Sequence, residues 1–174
     1  MSRSGYSDDC DSQEARWTLI RWRGAVNSAI KGKRGQAFLR EALAALDALP
    51  EKRLIAKDLA AHGEFCTLGA VGARRGIDMS EVDPEDYETV APLFGISEAL
   101  AREIVYLNDD CVPDGQYIPR PCGPPTFEQW QIDRGSIGAS FSRQIFVPFK
   151  DRESERFKYM RKWIEENIKA EADL

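Results

Sequence analysis

The chain has 174 residues, 43% of them hydrophobic and 30% charged, which is one domain's worth of material with enough apolar content for a core. No apolar run reaches the ~18–20 residues that span a bilayer, and no apolar stretch of signal-peptide type follows Met1, so neither a transmembrane nor a standard exported chain is expected. With 24 Lys and Arg against 29 Asp and Glu the net charge is -5, which argues against a nucleic-acid binder driven mainly by electrostatics.

Residues 1–12 are polar and acidic and read as a mobile tail ahead of a single domain over 13–174. From Gln13 to about Ile30, Leu19, Trp22, Val26 and Ile30 recur at three- and four-residue steps, the stripe of an amphipathic helix. Gly32 and Gly35 break it. A second helix is expected from Gln36 to Leu49, with Leu39, Leu43, Leu46 and Leu49 inward and Pro50 as its stop. So short a link predicts an antiparallel helical hairpin.

Residues 53–67 read either as a small two-stranded ribbon or as the ends of short helices. Leu68 to Arg75 predicts a short helix ended by Gly76. Asp83-Pro84 predicts a helix start, with Tyr87, Val90, Ala91 and Phe94 on one face and Gly95 as the stop. Ser97 predicts the cap of the next helix, whose Leu100, Ile104 and Leu107 turn inward.

Residues 111–150 read as a Pro/Gly-rich insert. Five prolines between Pro113 and Pro125 exclude helix or central strand there, and Phe141 to Val147 suggests one strand in need of a partner. Asp151 to Ala170 is the strongest helical pattern, with Phe157, Met160, Ile164 and Ile168 inward. The fold class expected is therefore mainly α, a compact helical domain of about five or six helices with a minor β element and the insert.

Chemistry-bearing residues are sparse. Cys10, Cys66, Cys111 and Cys122 form no close ligand pair, and His62 is the only histidine, so neither a metal nor a cofactor is expected. A Cys111–Cys122 disulfide is conceivable, but a reducing compartment is the expectation. Cys66 reads as a buried small hydrophobe and His62 as a surface residue in a turn. No nucleophile signature accompanies that histidine. Asp109 and Asp110 end a helix where its dipole disfavours acids; this suggests either a cation or partner site or an exposed loop start.

The sharpest local feature is basic. Between Ala15 and Arg40 lie seven Lys or Arg and no acid. Arg16, Arg23, Asn27, Lys31, Lys33 and Arg34 form a row along the first helix and into its loop, a candidate partner- or anion-binding set. The competing reading is a solvated face paired with the acidic run Asp78, Glu81, Asp83, Glu85, Asp86 and Glu88. Lys33 lacks the spacing of a phosphate loop.

Four runs carry a resemblance: RWRGAVNSAIKGKRGQAFLRE at 21–41, LGAVG at 68–72, EIVYLND at 103–109 and RFKYMRKWI at 156–164. Together they resemble a family of small bacteriophage and prophage accessory proteins to which no activity is attached. The resemblance implies a setting, a phage-encoded protein in bacterial cytoplasm, and no catalytic residue. Three functions follow from residues and setting. The first is a non-catalytic protein that binds a host protein, with a component of antiviral defence as the target the setting suggests. The second is a nucleic-acid-binding accessory protein using the basic helix and loop. The third is a nucleotide-modifying enzyme using Glu103, Asp109 and Asp110.

Overall fold

The computed structural model describes residues 13–119 and 144–169. The tail expected over 1–12 and the middle of the insert lie outside the described residues. Two compact units emerge, residues 13–112 with 153–169, and 113–119 with 144–152.

The larger unit is mainly helical, as its periodicity requires. Helix α1 runs Gln13–Lys31 and α2 Lys33–Ala48. Strands β1 (Ala60–Ala61) and β2 (Glu64–Phe65) pair antiparallel, so the ribbon is the alternative that holds. Its turn places His62 and Gly63 at positive φ, 53° and 84°, the backbone of a tight hairpin, with His62 exposed. Helices α3 (Thr67–Arg75) and α4 (Tyr87–Phe94) each end on a left-handed glycine, Gly76 and Gly95. Helix α5 spans Glu98–Asp109 and α6 Arg152–Asn167.

Four expectations about these elements change. Only Gly32 separates α1 from α2, and Gly35 lies within the first turn of α2. A one-residue link is shorter than the two to five residues of a helical hairpin loop, so the chain turns between the two helices at a tight corner on Gly32. Gly35 is buried at that corner, where a Cβ would run into the Ala29 carbonyl. The inner face of α2 is also wider than expected: Phe38, Ala42 and Ala45 are buried beside Leu39 and Leu46, while Leu43 and Leu49 pack half-buried against the same core. Finally, α4 starts three residues after Pro84. Asp83 accepts from the Glu85 amide at 2.8 Å, a local turn, and Asp86 caps the helix through Thr89.

Around this frame lies one core. Leu39 and Leu46 of α2, Leu68 and Val71 of α3, Phe94 of α4, Leu100 and Ile104 of α5, and Met160 and Ile164 of α6 are fully or almost fully buried. Burying each such large side chain contributes about 1.5–3 kcal/mol. Phe38 meets Phe94 edge-on at 6.4 Å.

Among the described residues, four polar side chains join that core, each tied by hydrogen bonds. Gln36 donates to the Ile30 and Asn167 carbonyls and accepts from the Lys169 amide, fastening the end of α6 to the α1–α2 corner. Asn108 accepts from the Thr67 amide and hydroxyl and donates to the Ile55 carbonyl. Arg156 donates to the Asn108 and Leu54 carbonyls, both at 2.7 Å.

The smaller unit is an antiparallel ribbon of β3 (Gly115–Pro119) and β4 (Gln144–Pro148), which supplies the partner that the expected strand needed. Tyr117 lies opposite Phe146 with ring centroids 5.4 Å apart. Asp114 pairs with Arg152 at 2.8 Å.

Candidate functional site

Helix α1 divides its residues by the 100° step of an α-helix. Val26 and Ile30 are buried in the core and Trp22 packs half-buried against it, so the C-terminal part of the expected stripe faces the core; Leu19 is half-buried outside that cluster. Arg16, Arg23 and Asn27 fall on a flank within about 40° of one another, and Lys31 continues it. All four are exposed, as are Lys33 and Arg34 where α2 begins. From Arg16 to Lys31 the row is about 22 Å long. A row of that length is spread too far to gather around one reacting atom; it matches an extended partner surface.

The outermost face of α1 carries residues that sequence periodicity does not single out. Trp17 and Ile20 are 56% and 57% exposed. Gly24 stands one turn further, with nothing within 4 Å of where a Cβ would be. The available signal was that Trp17 and Ile20 fall outside the inward stripe.

At the corner the row meets a groove of about 510 Å³ whose lining includes Ser28, Gly32, Lys33, Arg34 and Ser97. Two helices begin on it. Ser97 caps α5 by accepting from the Leu100 amide at 3.3 Å, whereas Gly32 brings no side-chain cap to α2. Lys33 and Arg34 add positive charge at the positive end of the α2 dipole, a placement that costs the helix a few tenths of a kcal/mol and favours an incoming anion.

Half of the acidic run, Asp78, Asp83 and Asp86, is engaged in local turn and cap hydrogen bonds. Asp78 accepts from the amide and hydroxyl of Ser80, and Asp86 from those of Thr89; both carboxyls are held below their ordinary pKa by these hydrogen bonds. The run nonetheless abuts α1. A second cavity of about 300 Å³ is lined by Trp22, Glu85, Asp86, Tyr87, Glu98 and Arg102, among others. The Arg102 guanidinium lies over the rings of Trp22 and Tyr87, 5.1 and 4.9 Å from their centroids. A basic face and an acidic cavity thus share one helix.

The remaining candidates take structural positions. Asp109 accepts from the Lys57 amide at 3.1 Å, holding a turn in which Lys57 has φ 72°, and from the Asn108 side chain at 2.8 Å. Asp110 is the exposed C-cap of α5. Cys66 is buried and caps α3 by accepting from the Gly69 amide at 3.3 Å, and burial pushes its thiol up to about 12. Cys111 carries a free thiol, raised in pKa mainly by burial. Among the described residues no group of three His, Cys, Asp or Glu is placed to hold a metal ion.

No helix among the described residues is long and apolar enough to cross a membrane. Compared with protein-family models, with curated proteins and with solved structures, the chain matches none.

Proposed function

We propose that the chain is a phage- or prophage-encoded accessory protein of the bacterial cytoplasm that works by binding, without catalysis, and that its basic face holds an acidic surface of a host protein. Inhibition of an antiviral-defence component is the role the phage setting suggests. The observation that carries this reading is the exposed basic row on a chain of net charge -5, continued by Lys33 and Arg34 at the start of α2. A row turned away from the core contributes little to folding. Its length suits a surface better than a small molecule.

The test is affinity capture from bacterial lysate with the wild type and with an Arg23→Glu/Lys31→Glu/Lys33→Glu variant. The expected result is an acidic host protein retained by the first and lost with the second. Identical captures would contradict the reading. The second reading, nucleic-acid binding through the same residues, predicts oligonucleotide affinity that falls steeply with salt and disappears in the variant.

A further inference from the structure

The same helix carries two complementary patches side by side, and this points to a partner that needs no host. On the outer face of α1 stand Trp17, Ile20 and Gly24, flanked by Arg21 and Arg23. Around the side of the helix, at Trp22, opens the cavity whose rim carries Glu85, Glu88 and Glu98. We infer that a second copy of this chain covers the outer face of α1, with Arg21 and Arg23 of each copy against the acidic cavity rim of the other.

Three observations carry the assignment. The first is charge. Direct α1-on-α1 packing would set arginines against arginines, whereas a two-fold that crosses each α1 onto the other copy's rim, where four acids outnumber Arg102, sets Arg21 and Arg23 against net negative charge and uses both patches twice. Adjacent complementary patches are what a closed, isologous dimer requires. The second is apolar exposure. Trp17 and Ile20 are the most exposed large apolar residues of the larger unit, and they neighbour one another on that face.

The third is Gly24. Glycine inside a helix costs about 1 kcal/mol relative to alanine, and among the described residues nothing occupies the space beside it. The fold does not need a glycine there; a close-packed second backbone would. The dimer extends beyond the host-partner reading and stands or falls separately, although a host surface using the same face would compete with the second copy.

Sedimentation equilibrium of the full chain tests it. At low salt the wild type should show twice the chain mass, returning to the chain mass as salt rises. Arg21→Glu/Arg23→Glu should be monomeric, and so should Glu85→Lys/Glu88→Lys. An equimolar mixture of the two variants should recover the doubled mass, because both contacts are then complementary again. Gly24→Leu supplies a variant whose fold is not at risk, and it too should be monomeric with an unchanged circular dichroism spectrum. A wild type that stays monomeric at low salt overturns the inference and leaves the face to a foreign partner. A dimer indifferent to all three variants overturns it as well, as does a mixture of folded variants that stays monomeric.

Discussion

Polar side chains do opposite work in two regions of this molecule. Gln36, Thr67, Asn108 and Arg156 are buried and join segments far apart in sequence. Arg16, Arg23, Asn27, Lys31, Lys33 and Arg34 are exposed and strung along one helix and its corner. Buried donors and acceptors are costly to leave unmatched, so the first group specifies how the helices dock. Exposed charges in water contribute little to folding, so the exposed cations of the second group present a surface for recognition. Density of charge in a sequence therefore marks where a partner can bind, while isolated polar residues within apolar runs mark where the fold is fastened.

The largest effect that would break this contrast lies at Asn108. Asn108→Ala leaves the Thr67 amide and hydroxyl and the Ile55 carbonyl without their partner, and the expected loss is about 3 kcal/mol in denaturant unfolding. Arg156→Met should cost a similar ~3 kcal/mol, since it orphans the Leu54 and Asn108 carbonyls. The two changes meet at residue 108, one removing its side-chain amide and the other the donor to its backbone carbonyl, and neighbours this close couple, so their double variant should lose less than the sum of the singles. Full additivity would show that the two act separately.

The corner comes next. Gly35→Ala drives a methyl into the Ala29 carbonyl and should cost about 1–3 kcal/mol. Gln36→Ala should cost about 2 kcal/mol and speed hydrogen exchange at the Lys169 amide, which donates to Gln36. Unchanged exchange there would separate α6 from the corner.

A smaller, pH-dependent effect belongs to the half-exposed Glu41–Arg75 pair. The Arg75 hydrogen bond holds the Glu41 carboxyl below its ordinary pKa. The lowered folded value means that the pair's contribution is present above the unfolded pKa and is lost as pH falls through the folded one. With solvent screening it amounts to about 0.5 kcal/mol. Glu41→Gln should therefore lower stability near neutrality and leave it unchanged in acid, as read from unfolding midpoints across pH.

Much of the helical frame was legible because its signals are local. Ser97, Gly76 and Gly95 mark helix ends by side-chain and backbone chemistry confined to a few residues, and each does so in the structure. The Asp83-Pro84 start failed because Asp86 offers a second cap three residues on, with Thr89 closing it from both amide and hydroxyl. Propensity alone does not choose between two caps in series. The full width of the inner face of α2 was hidden because residues such as Phe38, which meets Phe94, face neighbours supplied by distant chain segments. The basic row was visible as composition. Its relation to the acidic cavity was not, since Trp22 and Arg102 come together only through packing.

The most direct measurement of whether the basic row serves recognition is the unfolding free energy of Arg23→Glu/Lys31→Glu/Lys33→Glu, taken at high salt and low protein concentration. If these side chains face a partner, the triple reversal should stay within ~0.5 kcal/mol of the wild type. A loss of about 2 kcal/mol or more, recovered when Asp78, Glu81 and Glu85 are also reversed, would show that the row pairs internally with the acidic run and is part of the fold.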